Sequence, residues 1–215
     1  MSKLKIGWSE VDITPAKGTK IGLAGQFYER ITDEVESPIT VTALAVDSGE
    51  DQMIICSCDL AAVAQNLCAM VKERLKGKLP ISADKVILSA IHTHTSYVYT
   101  QRRTLPMAMD YLKRVLPEDM AYQSLVSGEE SMNPDDALKF LADKIAEAVL
   151  KAWDAREDGY YKCAFGRAAV GMCRRVCYDD GSAKMWGETN LANFEELEAG
   201  NDSGIEIMYV FDKNK

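Results

Sequence analysis

The stretch Val86-Ile-Leu-Ser-Ala-Ile-His92-Thr-His94-Thr-Ser96 decides how the rest of the chain is interpreted. An apolar, β-type run ends in two histidines, and these are the only histidines in the 215 residues. Successive side chains of an extended segment point to opposite faces, so we expect His92 and His94 on the same side, roughly 6.5–7 Å apart along the strand. Two imidazoles placed in this way can share a metal ion, or one can bind metal while the other acts on a substrate. A polar loop after a buried strand is the alternative.

The composition is typical of a globular protein that can bury a core, with 47% hydrophobic and 27% charged residues. A net charge of −8 and a pI of about 4.9 disfavour nucleic acid and anionic membrane surfaces as partners. No run approaches the ~18 apolar residues of a membrane span, and the N-terminus lacks the apolar core of a signal peptide. The six scattered cysteines form neither a disulfide framework nor a CxxC pattern, so we expect reduced thiols and a cytoplasmic location.

The order strand, helix, strand over residues 52–91 predicts a parallel βαβ unit whose helix lies at 62–75. A second helix is predicted over 134–155, because Asn133 is a suitable N-cap residue and apolar positions then repeat at helical spacing. The expected fold class is therefore α/β. It has a mixed sheet with a parallel βαβ core flanked by these helices, in a single domain over 1–215.

Residues 97–134 have no single hydrophobic period, although a short helix is expected near 107–116. The segment follows the histidines directly along the chain. We therefore expect an irregular insertion, which can form the wall of a pocket or a surface excursion.

Three further residues are candidates for a site around the histidines. Asp59 ends the strand that neighbours the histidine strand in the predicted sheet, where open α/β sheets place their chemistry. It has either a catalytic or metal-supporting role, or the role of cap for the following helix. Arg30, like the Arg174-Arg175 pair, can bind a substrate carboxylate or a tetrahedral oxyanion. Ser96 is a candidate substrate-binding residue; a serine-hydrolase triad is the weaker idea, because neighbouring side chains on a strand point apart.

Several segments, read in order, resemble the neutral/alkaline (non-lysosomal) ceramidase family. Gly-Trp-Ser-Glu-Val-Asp-Ile-Thr-Pro at 7–15 and the strand at 39–47 resemble the opening of family members. Ser-Cys-Asp-Leu at 57–60 resembles a strand end of the family, and the stretch at 88–96 resembles its His-Thr-His-Ser signature. The resemblance extends along the whole chain but corresponds to the N-terminal portion of a family member.

Members of that family are zinc amidases that cleave the N-acyl bond of ceramide by metal-activated water. The resemblance implies that His92 is a zinc ligand and that His94 contacts the reacting carbonyl or its oxyanion. The family's second histidine ligand, its glutamate and its tyrosine come from sequence further along, and no histidine follows His94 here. The resemblance thus implies one zinc ion with an incomplete ligand set in this chain, and a small acyl-amide or lipid-like substrate.

The leading hypothesis is a zinc-dependent hydrolase of the neutral ceramidase type, present here as a fragment that lacks the remaining metal ligands. The alternative is a non-catalytic ligand-binding or assembly domain on the same scaffold that has lost the metal site. A glycan-processing relative is a weaker third hypothesis. We expect no nucleic-acid partner and no membrane span, and the sequence leaves a homo-oligomer open.

Overall fold

The computed structural model describes residues 4–24, 30–100 and 131–213. The chain forms two compact units, 1–159 and 160–215, a finer organisation than the single domain predicted over 1–215. The described helices are α1 (Gln65–Leu75) and α2 (Pro134–Asp154), with a 3-10 turn at Ala83–Lys85. The strands are β1 (Leu4–Asp12), β2 (Ile21–Gly22), β3 (Ile31–Thr32), β4 (Thr40–Asp47), β5 (Gln52–Cys58), β6 (Val86–Ala90), β7 (Glu157–Arg167), β8 (Arg175–Tyr178), β9 (Ala183–Met185), β10 (Phe194–Leu197) and β11 (Gly204–Asp212).

The main sheet of unit 1 has the strand order β7-β1-β4-β5-β6. The β1–β4, β4–β5 and β1–β7 pairs are antiparallel, whereas β5 and β6 are parallel, so the sheet is mixed. Helix α1 connects the two parallel strands. The predicted α/β class and its βαβ unit over 52–91 are therefore confirmed.

The hydrophobic core of unit 1 lies between one face of this sheet and the two helices. Alternate residues of β4 and β5 are fully buried, and they pack in one cluster with apolar residues of α1 and α2. Asn133 caps α2 as predicted, since its side chain accepts a hydrogen bond from the Asp135 amide at 2.8 Å. Helix α1 begins at Gln65, three residues later than predicted.

Gly7 in β1 allows α2 to lie against the sheet. A Cβ atom at this position would be 2.7 Å from the Arg156 amide nitrogen and 2.8 Å from the Ala155 carbonyl carbon. Beside it, the Ser9 hydroxyl donates a hydrogen bond to the Ala148 carbonyl at 2.7 Å. The end of α2 is therefore in contact with the backbone of β1, at a distance that only glycine permits.

Unit 2 contains the later part of β7 with β11 beside it, and a three-stranded sheet of order β10-β8-β9. The Tyr160 ring stacks on Phe211 with centroids 4.9 Å apart, and the Ala168 amide donates to the Ser203 carbonyl at 2.9 Å. Several large apolar side chains on these two strands are exposed, among them Phe165 at 62%.

Three further predictions concern features outside the core. The short helix expected near 107–116, and with it most of the insertion expected at 97–134, lies outside the described residues. None of the six cysteines forms a disulfide. Neither described helix is long and apolar enough to cross a membrane.

Replacing Gly7 with alanine should lower the free energy of unfolding by about 3 kcal/mol, because the new methyl group meets backbone atoms that cannot rotate away. Urea denaturation measures the change. Gly22→Ala is the matched control, since a Cβ at Gly22 meets nothing within 4 Å. Equal stability of the two variants would contradict this account of the contact between α2 and β1.

Candidate functional site

The two histidines lie in the loop after β6, which ends at Ala90. His92 has a φ of 64°, in the left-handed region that side-chain-bearing residues rarely adopt. The Nε2 atoms of His92 and His94 are 3.4 Å apart, and the rings meet edge to face with centroids 4.9 Å apart. The prediction that both residues lie on an extended strand is therefore wrong, although the two rings meet on the same side, as predicted. The left-handed turn at His92 interrupts the alternation of side chains on which the prediction was based.

The His92 ring is oriented by a hydrogen bond to the end of the neighbouring strand. Its Nδ1 lies 2.6 Å from the carbonyl oxygen of Ala61. A carbonyl oxygen can only accept, so Nδ1 carries a proton, and the Nε2 atom on the other side of the ring faces the Nε2 atom of His94. The Ile91 amide donates to the Cys58 carbonyl at 3.1 Å, which holds the start of the loop against the end of β5.

The main chain of His94 is held by Arg30. One guanidinium nitrogen, Nη2, donates to the His94 carbonyl at 2.6 Å and to the Ala24 carbonyl at 3.0 Å. The Nε atom of Arg30 is buried without a hydrogen-bond partner. These contacts place Arg30 beside the loop of residues 91–99 that contains both histidines, called the histidine loop below. Its binding to substrate stays a prediction.

Ser96 lies in the same loop and is fully buried, with 0% exposure. Its carbonyl accepts a hydrogen bond from the Ala24 amide at 2.8 Å, and its hydroxyl oxygen is buried without a partner. Ser96 is therefore packed in the interior, beneath the surface of the loop. Its substrate-binding role stays a prediction.

Asp59 follows β5 at the same end of the sheet as the histidines. Its carboxylate accepts hydrogen bonds from the Thr40 amide at 2.8 Å and from the Thr40 hydroxyl at 3.3 Å. Helix α1 follows Ala64, whose side chain makes no capping hydrogen bond. The alternative that Asp59 caps this helix is therefore wrong, because the carboxylate is bound to the start of β4. Its catalytic role stays a prediction.

Arg174 and Arg175, the other arginines considered as anion-binding residues, belong to unit 2. The Arg174 guanidinium lies 4.8 Å from the centroid of the Trp186 ring, and Arg175 forms an ion pair with Glu198 at 2.9 Å. Each therefore has a structural partner within its own unit.

Two tyrosines from the segment that is predicted to be irregular fix the C-terminal end of the histidine loop. The Tyr97 hydroxyl donates to the Ile13 carbonyl at 3.1 Å. The Tyr99 hydroxyl donates to the Ala62 carbonyl at 2.6 Å and accepts from the Ala64 amide at 2.9 Å. Burial raises the pKa of both phenols above the usual value, so both remain neutral donors. The alternation Tyr-Val-Tyr was the available signal for a short extended segment with one buried face.

The described residues contain no group of three or more histidine, cysteine, aspartate or glutamate side chains that could hold a metal ion. The histidine pair nevertheless fits two positions of such a site. Two nitrogens bound at ~2.0–2.1 Å to a tetrahedral zinc ion lie about 3.3 Å from each other. The observed separation of the Nε2 atoms is 3.4 Å.

The arrangement of strands and helices defines an α/β domain of the kind found in neutral ceramidases. The crystal structure of neutral ceramidase from Pseudomonas aeruginosa matches this chain with a TM-score of 0.64 and 18% sequence identity. The match covers 100% of this chain and 30% of the ceramidase chain. A structure of ceramidase complexed with C2 matches over the same shares, with a TM-score of 0.63 and 18% identity. No family model and no curated protein matches.

The resemblance inferred from the sequence motifs is thus confirmed at the level of the fold. At 18% identity the likeness shows the fold and does not by itself show the activity. The chain spans 30% of the length of the ceramidase structures that it matches.

The left-handed backbone at His92 can be tested with two substitutions at one position. His92→Gly should be about 1 kcal/mol more stable than His92→Ala, because glycine adopts this φ without the steric cost of a Cβ atom. Chemical denaturation of both variants gives the difference. At Thr93, whose φ is not positive, the order should reverse, with glycine the less stable. The same order at both positions would contradict the left-handed turn.

Proposed function

We propose that this chain is part of a zinc-dependent hydrolase of the neutral ceramidase type, acting on an amide (N-acyl) or related bond. The observation that carries the proposal is the 3.4 Å separation of the His92 and His94 Nε2 atoms at the end of a parallel strand pair. Open α/β sheets usually place ligands at this end of their strands. The likeness to the fold of neutral ceramidase supports the same proposal.

His92 is the proposed zinc ligand, because the Ala61 carbonyl accepts a hydrogen bond from its Nδ1 atom and thereby orients its Nε2 atom toward His94. The Nε2 atom of His94 lies beside the same point, so it can act as a second ligand or donate a proton to the oxygen of a reacting carbonyl. When bound, zinc lowers the pKa of water toward ~7 and polarises carbonyl groups. The remaining ligands are proposed to come from outside the described residues.

The other functional assignments remain part of this proposal. Asp59 would support the catalytic residues, and Arg30 and Ser96 would contribute to the substrate side of the site. The proposed substrate is a small acyl-amide or lipid-like molecule. The cytoplasmic location and the lack of a nucleic-acid partner remain predictions from the sequence, and the oligomeric state stays open.

Zinc titration of the 215-residue protein tests the proposal. Removal of the ligand nitrogen in His92→Ala should weaken zinc binding by at least about tenfold, since each lost ligand costs several kcal/mol of metal affinity. His94→Ala should weaken binding to a similar extent if His94 is a ligand, and little if it faces the substrate. Isothermal titration calorimetry and elemental analysis give the affinity and the stoichiometry.

Cys163→Ala is the control, because this exposed thiol is the kind of group that binds zinc adventitiously. It should leave the high-affinity site unchanged. A wild type that binds zinc no more tightly than His92→Ala would contradict the role of His92 as a ligand, and no zinc binding by the wild type would rule out a site completed within these 215 residues.

An assembly domain without catalytic activity is the second candidate, and one surface favours it. The residues Trp8, Leu44, Ile55 and Ile87 lie side by side on four neighbouring strands of unit 1. They lie on the sheet face opposite to the helices, and Trp8 and Ile87 are each about half exposed. Sheets with parallel strands are usually covered on both faces, so this row has the character of an interface. A chain that binds no zinc but associates through this row would support the second candidate.

A further inference from the structure

We propose that Arg30 is a positioning residue that sets the distance between the two histidine rings. The proposal rests on the proposed function only where zinc affinity is concerned, because the ring geometry can be measured without metal. Arg30 is separated from His94 by 64 positions in the sequence, yet its Nη2 atom lies 2.6 Å from the His94 carbonyl oxygen.

Arg30 belongs to a small network of main-chain hydrogen bonds that surrounds the histidine loop. Strands β2 and β3 pair with each other, and the Leu23 amide donates to the Arg30 carbonyl at 2.8 Å. The segment after His94 joins this pair, because the Ala24 amide donates to the Ser96 carbonyl and the Val98 amide donates to the Gly22 carbonyl, both at 2.8 Å. The Arg30 side chain extends the network to the carbonyl of His94.

The two rings are thus fixed by different means. The His92 ring is held through its own Nδ1 atom by the Ala61 carbonyl. His94 is held through its main chain, because a charge-assisted hydrogen bond from Arg30 fixes the peptide plane that follows its Cα atom. Since the direction of the Cα–Cβ bond depends on that plane, the position of the His94 Nε2 atom depends on Arg30.

Folding stability alone does not explain why residue 30 is an arginine. The Nε atom is buried without a hydrogen-bond partner, and a buried donor without a partner is costly. A methionine side chain would occupy a similar volume without that cost. The planar guanidinium instead provides two N–H groups on one nitrogen, and these reach the carbonyls of Ala24 and His94 together.

Nuclear magnetic resonance of the imidazole groups in the zinc-free protein tests this role directly. The chain has two histidines, so the spectrum contains two imidazole systems, and His94→Gln assigns them. In Arg30→Met, we expect the His94 ring signals to shift and the ring-to-ring nuclear Overhauser effect to His92 to weaken. The His92 signals should change less, because the Ala61 contact remains. Arg30→Lys should restore part of the effect, since an ammonium group can still donate to one carbonyl.

Zinc affinity provides the second measurement. Arg30→Met should weaken zinc binding by about 10–100-fold, the range typical for residues that orient metal ligands. Arg74→Met is the matched control, because Arg74 forms an exposed ion pair with Asp143 on the helices. It should change neither the ring signals nor the zinc affinity.

Two results would overturn the positioning role. One is an Arg30→Met protein that keeps the wild-type ring contact. The other is a variant in which both histidines and the rest of the spectrum change together with a lower melting temperature, which would make Arg30 a general structural residue. If the wild type binds zinc and His92→Ala binds it equally well, the proposed function fails, whereas the ring measurement still decides the role of Arg30.

Discussion

The parallel pairing of β5 with β6 is the constraint on which the candidate site depends. It places the ends of both strands at one edge of the sheet, so that the Ile91 amide reaches the Cys58 carbonyl. From there the chain after β5 offers the Ala61 carbonyl to the His92 ring. Without this pairing, neither the carbonyl that orients His92 nor the turn that brings His94 close would be in place. The chemistry of the loop is therefore a consequence of the βαβ unit.

The left-handed backbone conformation of His92 is energetically unfavourable for a residue with a side chain, yet the geometry of the site depends on it. A side chain in that region costs on the order of 1–2 kcal/mol, and a glycine would avoid the cost. The surrounding contacts maintain the conformation: His92 is bound by Ala61, His94 by Arg30, and the following tyrosines by backbone carbonyls. Backbone strain that is held in place in this way is typical of functional loops.

The fold could be predicted from the sequence because its signals are local. The strand-helix-strand order over 52–91 predicted β5, α1 and β6, helical periodicity predicted α2, and Asn133 marked the start of α2. The site geometry could not be predicted in the same way, because it depends on contacts between distant residues. Arg30 reaches His94 across 64 positions, and Asp59 binds Thr40 on the adjacent strand rather than the helix that follows it. No periodicity in the sequence encodes such pairs.

The exposed sheet face and the incomplete set of zinc ligands are alike, because neither is completed by the described residues. Trp8 and Ile87, at the two ends of the apolar row, are about half exposed where a second layer would ordinarily cover a sheet with parallel strands. Two imidazole nitrogens lie at the separation of two zinc ligands, and no third histidine, cysteine, aspartate or glutamate joins them in the part of the chain that the structure describes. The ceramidase structures that share this fold are more than three times as long as the matched region. The apolar row and the histidine pair are joined through β6, because Ile87 lies on that strand and His92 follows its end.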